Sequence, residues 1–306
     1  MSGDLLTSLL QSTITMAVPL LLAGLGELIV ERAGVVNIGL EGMLLSGAFA
    51  SMIATYFTHS PALGLICGCA AGGLLAALFA YVVVLLNGNQ VVVGTALNLL
   101  AIGVTGVAYR AVFGVTGAAL TVDGFALQPV PLLSSLPVLG PFFDQPLLGY
   151  AAFALVPMIS FALFRTLAGV KLRMVGENPR AAAAQGVAVR PVQIGALLGC
   201  GILAGAAGTY LAIAYAKTFV EGMSAGRGFI ALAIVIFGRW SPWGVLAASL
   251  LFGMATALQF HVQALGLAIP YQFLLMLPYV LTLLVLAGYA GKTRAPAALG
   301  VALDDA

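Results

Sequence analysis

A bundle of membrane-spanning α-helices is what this chain of 306 residues predicts, and three features carry that expectation. Hydrophobic residues make up 62% of the chain and charged residues only 7%, where a soluble domain carries about 25% charged residues. No Asp, Glu, Lys or Arg occurs in the 68 positions of 42–109, nor in the 52 positions of 240–291. A membrane helix needs about 20 apolar residues, so these runs hold several spans. A water-soluble globule is excluded by composition. A β-barrel is excluded because its strands would alternate apolar and polar residues.

Taken in order, the apolar runs predict helices over 8–30, 36–57, 61–86, 90–113, 146–167, 191–216, 222–238, 242–263 and 268–290. That is an all-α bundle of about nine spans, within a range of eight to ten. The first two are parted by the Ala33-Gly34 break, and the fourth follows the polar stretch Asn87-Gly88-Asn89. The fifth follows a Pro-rich connection over 114–145, and the sixth follows a basic connection over 168–190. The seventh is short and Gly-flanked, so it can be a broken or re-entrant element. Thirty-eight glycines, clustered as in GCAAGG (68–73) and GCGILAGAAG (199–208), let helix backbones approach closely in lipid. The whole of 1–306 reads as one transmembrane domain with no separate soluble part.

Orientation follows from the basic residues. Arg165, Lys171, Arg173, Arg180 and Arg190 mark 168–190 as cytoplasmic. The connection 114–145 has no Lys or Arg and is placed outside. Counting spans from these anchors puts nine of the twelve basic residues inside, the N-terminus outside and the C-terminus in the cytoplasm. The first residues, MSGDLLTSLL, lack the basic region of a cleaved signal peptide.

Several function classes fall away. A net charge of +2 gives no basic surface for nucleic acid. Cys67, Cys69 and Cys200 lie in apolar runs without metal-ligand spacing, and His59 and His261 are isolated. The sequence shows no phosphate-binding Gly-rich loop, no zinc-protease motif and no nucleophile–base arrangement, so enzymatic chemistry and a cofactor of its own are not expected. A proton-coupled carrier needs a network of intramembrane charges, which is also missing.

Three stretches carry the chemistry that remains. In 26–51, Glu27 and Glu31 lie one helical turn apart, as do Asn37 and Glu41. Glu31 and Arg32 read as helix caps at the membrane surface. Glu41 sits inside an uncharged span, where it either lines a transport path or has a structural role. In 87–100, Gln90, Gly94 and Asn98 recur every four residues and share one helix face. Such a stripe is either glue between helices or the wall of an aqueous path. Asn37, Glu41, Gln90 and Asn98 are therefore the candidate path residues. In 170–189, Asn178 suits a helix cap, Pro179 the first helical position and Gly186 the residue past the end. Between them, Ala181 to Ala184 form a short helix of small side chains outside the lipid. It is either a mere connector or a helix that docks in a groove of a cytoplasmic partner.

Four motifs, GELIVERAGVVNIGLEGMLLSGAFA, NQVVVGTALNLLAIG, VGENPRAAAAQGV and SAGRGFIALAIVIFGRWSPWG, resemble the permease subunits of bacterial ATP-driven importers of the ribose/branched-chain amino acid group. The resemblance covers about 12–290 and is nearest to the nucleoside branch. It implies a multi-pass protein of the bacterial cytoplasmic membrane that imports nucleosides or related purine-type compounds by alternating access. It further implies a cytoplasmic ATPase partner that binds the ATP, an extracytoplasmic substrate receptor, and a second permease that is a different chain. The resemblance makes Gly176, Glu177, Asn178, Pro179, Ala181, Ala182, Ala183, Ala184 and Gly186 the segment that couples to the ATPase. A sugar permease, a stand-alone facilitator and a secondary carrier are the alternatives.

Overall fold

Backbone groups in lipid must be paired within the chain, and helices meet that demand most simply. The computed structural model describes residues 2–114, 121–131, 140–264, 272–273, 276, 280 and 295–301. Its helices are α1 (Ser2–Arg32), α2 (Leu40–Thr58), α3 (Pro61–Ala80), α4 (Gln90–Phe113), α5 (Leu147–Arg165), α6 (Leu167–Glu177), α7 (Pro179–Ala184), α8 (Val189–Thr209), α9 (Arg227–Phe237) and α10 (Pro242–Ala264). π-Helical turns lengthen α3 through Leu85 and α8 through Ala216.

Seven of these helices are long and apolar enough to cross a membrane: α1 to α5, α8 and α10. Of the nine expected, the seventh, which the sequence also allowed as a broken or re-entrant element, is short. Helix α9, expected over 222–238 as a span, has only 11 residues. At 1.5 Å per residue it rises about 16 Å, half of a hydrocarbon core of about 30 Å. The span expected over 268–290 lies almost wholly outside the described residues. Two further departures concern the connections. The 114–145 stretch contributes a short antiparallel hairpin, β1 (Leu127–Pro129) with β2 (Asp144–Pro146), so the fold is helical but not purely so. The 168–190 connection carries a helix of its own, α6, before the short α7.

Helix α1 is the axis of the bundle. Of its most apolar window 89% is buried, against 33% for α4 and α5, which lie at the periphery. It packs on α8 and α10, while α2, α3 and α8 pack on one another. Glycines make the second group possible. Gly64, Gly68 and Gly72 recur every four residues on α3 and are all buried. A Cβ on Gly72 would strike Gly201 O, and one on Gly205 would strike Gly68 O. A Cβ on Gly47 of α2 would lie 2.5 Å from Gly205 Cα. Three helices thus meet backbone to backbone at Gly47, Gly68 and Gly205, where dispersion across close surfaces holds them.

Gly205→Val should therefore lower the melting temperature of the detergent-solubilised protein by several degrees, since volume forced into a packed core costs about 1–3 kcal/mol or more. Gly103→Val, where nothing lies within 4 Å of an added Cβ, is the matched control and should melt no lower than the parent. Equal melting of both variants would remove the close approach from the account.

Candidate substrate path and coupling segment

Residues 33–39 between α1 and α2 form no helix, yet most are buried. Their backbone groups need partners, and side chains provide them. Glu27 Oε1 accepts the Asn37 N–H at 2.9 Å, and Gln90 Oε1 accepts the Val36 N–H at 2.8 Å. Asn98 works in both directions: its Nδ2 donates to Ile38 O at 2.9 Å and its Oδ1 accepts the Gly42 N–H at 2.8 Å. Gln193 Nε2 donates to Ala33 O at 3.2 Å. Gly94 completes the α4 face, because a Cβ there would lie 2.7 Å from Ile38 Cβ. The Gln90, Gly94 and Asn98 stripe is thus the surface on which the link is held. The two amides act as glue to backbone. Asn37 is fully buried, its Nδ2 directed at Met43 Sδ (3.3 Å) and Cys200 Sγ (3.5 Å), and its Oδ1 has no hydrogen-bond partner among the described residues.

Asn98 lies two turns from the start of α4, about 12 Å along it. Gly42 bonds to it, so α2 starts that deep within the bundle and Glu41 lies there as well. Its carboxylate reaches across to α9, where Oε1 accepts the Gly226 N–H at 2.8 Å and Oε2 accepts the Gly228 N–H at 2.7 Å. Gly228 permits this contact, since a Cβ there would lie 2.5 Å from Glu41 N. Helix α9 begins at Arg227, so these N–H groups belong to its first turn. The N-terminal N–H groups of a helix lack partners within it and carry about half a positive charge. A carboxylate is the fitting partner for such a terminus inside the bundle.

The other end of α9 is tied to α1. Arg32 donates to Trp240 O from Nε (3.0 Å) and Nη2 (2.6 Å), and Trp240 Nε1 donates to Glu31 Oε2. Glu31 and Arg32 were expected as helix caps. They instead hold a residue 208 positions away in the chain from Arg32, a tie that local sequence does not show. This end, where Arg32 and Arg165 also lie, is called here the basic end of the bundle. At the other end Arg110 Nε and Nη2 bind the Glu221 carboxylate at 2.8 and 2.7 Å. Those hydrogen bonds hold the Glu221 carboxyl below its usual range. A cavity of about 490 Å³ opens at the basic end, beside the link, with Val36, Asn87, Gln90, Gln193 and Val301 in its wall.

The coupling segment is built from local capping. Asn178 Oδ1 accepts the Ala181 N–H at 3.0 Å, and Pro179 starts α7. Gly186, at φ +78°, ends it, its N–H bonding Ala183 O and that of Val187 bonding Ala182 O. The residues divide between two faces. Gly176, Pro179 and Ala182 (1% exposed) are buried within the chain, while Glu177, Asn178, Ala181, Ala183, Ala184 and Gly186 are exposed. Of the four alanines Ala182 turns inward, because a short helix lying on a bundle buries one side. The sequence reading also missed 295–301. There Ala298 N–H donates to Gly176 O and Gly300 N–H to Gly34 O, both at 3.0 Å.

Comparison with known proteins gives the family. Residues 9–286 match the family model described as branched-chain amino acid transport system / permease component. The chain is 36% identical to the guanosine ABC transporter permease protein NupQ of Bacillus subtilis, over 97% of each protein. It is 40% identical to the nucleoside ABC transporter permease protein NupC of Lactococcus lactis, over 92% of each. It is 41% identical to the putative glucose ABC transporter permease protein TsgC13 of Haloferax volcanii, over 85% of the chain and 79% of that protein. No solved structure matches it.

The Glu41 contact yields a direct test. In Glu41→Gln the amide NH₂ group faces an N–H of α9, and leaving a buried donor unmatched costs about 1–3 kcal/mol. Uptake in proteoliposomes should fall severalfold at equal expression, with the protein still folded by melting. Parental uptake in this variant would show that the contact serves packing alone.

Proposed function

We propose, from the premise that this chain belongs to the branched-chain amino acid transport system / permease component family, that it imports nucleosides as the permease subunit of an ATP-driven importer. It is a multi-pass protein of the bacterial inner membrane and a transport component, not an enzyme. The observation that carries the substrate class is the similarity to the guanosine permease along nearly the full length of both proteins. The nucleoside permease of Lactococcus lactis supports the same class.

The working assembly then has a cytoplasmic ATPase that binds ATP, an extracytoplasmic receptor, and a second permease of different sequence. The chain forms one permease domain over 1–306, with the basic end in the cytoplasm and 114–145 outside. The positive-inside distribution supports that orientation. The transport path runs beside the α1–α2 link and the start of α9. Asn37, Glu41, Gln90 and Asn98 frame it by fixing backbone in place, since most of their polar groups are already engaged with protein. The segment Gly176 to Gly186 transmits ATPase motion: its exposed alanines dock on the partner, and buried Gly176, Pro179 and Ala182 join them to the bundle. The contact of Gly176 with Arg32 and Gly34 supports this route, because it leads straight to the link.

Vesicles holding the permeases and ATPase, supplied with receptor, test the reading. ATP-dependent uptake should appear with guanosine and other nucleosides. Uptake of glucose alone, or uptake without ATP, would refute it. In the same vesicles Ala183→Trp should leave insertion unchanged but abolish stimulation of ATP hydrolysis, because its bulk overfills the docking groove. Normal stimulation would reduce α7 to a connector. Cysteines placed in 172–186 should react only with reagents supplied from the cytoplasmic side, and cysteines in 114–145 only from outside. Equal access from one side would overturn the orientation.

A further inference from the structure

Helix α6 lies along the basic end and does not enter the bundle. Its first residue follows the end of α5 after a single extended residue, Thr166, whose Oγ1 donates to Ala162 O and accepts the Gly169 N–H. Gly169 packs so tightly on the end of α5 that a Cβ would strike Ala162 O and Leu163 O. The far end, Gly176, packs on Arg32 at the end of α1. Both ends of this 11-residue helix are therefore fixed at the same end of the bundle.

Its two faces differ. Gly169, Val175 and Gly176 are buried, and Leu172 is partly buried against the core. Leu167 (81% exposed), Val170, Lys171 and the half-buried Met174 recur at helical spacing on the opposite face. On α5 the same spacing links Met158 (63% exposed), Phe161 (63% exposed), Ala162 and Arg165, all exposed. The α5 face is apolar along the flank of a spanning helix and basic at its end, and Lys171 stands on the exposed face of the helix that begins two residues later. No carboxylate pairs with Arg165 or Lys171 among the described residues. An ATPase reaches only groups beyond the lipid, whereas this surface continues down the membrane flank. A molecule with apolar chains and an anionic head fits both parts.

We propose that the α5–α6 elbow holds an anionic phospholipid of the inner leaflet, its acyl chains along Met158 and Phe161 and its headgroup at Arg165 and Lys171. This rests on the orientation proposed above, which puts the basic end in the cytoplasm. Bound lipid tethers α6, and with it α7, to the membrane surface, so the leaflet's charge bears on ATPase coupling.

The test uses the intact importer exposed to mixed phosphatidylglycerol and phosphatidylcholine micelles, with retained lipid counted by native mass spectrometry. The parent should retain phosphatidylglycerol in preference. The Arg165→Gln/Lys171→Gln variant should lose that preference, on the order of fivefold per cation removed. Arg190→Gln removes a cation away from the apolar stripe and outside the coupling segment, and should leave retention unchanged. Equal retention by parent and elbow variant, or an equal drop in both variants, would overturn the proposal. The count is independent of transport and of labelling, so a failed orientation is read separately by the cysteine reagents.

Discussion

Unpaired backbone is not tolerated in lipid, and the described residues are organised around two places where the chain is not helical within the bundle. One is the α1–α2 link, and the other is the stretch before α9. Each is completed by the other elements. Helix α1 gives Glu27, α4 gives Gln90 and Asn98, and α8 gives Gln193 to the link. The link in turn positions Glu41, which completes the start of α9. A charged group within a membrane costs at least about 2.5–3.5 kcal/mol on insertion scales, so a partner such as the α9 terminus accounts for its place.

Close helix contacts set the tolerance of this arrangement. The hydrogen bonds to the link require α4 to approach it, and Gly94 makes the approach possible. The same is true of α2, α3 and α8 at their glycines, where main chains touch. Packing of this kind leaves little freedom for gradual deformation.

Much of this was legible in residue order, and the rest was hidden for definite reasons. Charge-free runs marked the spans because lipid excludes charge over a fixed length. Asn178, Pro179 and Gly186 marked α7 because capping is local chemistry. Helix α6 was hidden by its basic residues, which made an amphipathic helix read as a connection. Glu41 stood out by its depth, but its partners at Gly226 and Gly228 lie 185 and 187 positions on in the chain. The inward turn of Ala182 has no local signature, since four successive alanines look alike until a neighbour covers one of them.

The contact of 295–301 with the coupling arm is written in main-chain atoms. Ala298 and Gly300 bond Gly176 and Gly34 through N–H and carbonyl groups that every non-proline residue possesses. At 298 side-chain scanning is therefore nearly blind to it, whereas Gly300, at φ +77°, is strained by any side chain. Proline at 298 deletes a donor, and such a change, or a cut in the chain, reveals the strap there. Screens that score positions by side-chain loss will under-rate position 298. A tag or fusion that displaces it disturbs the arm proposed to couple to the ATPase.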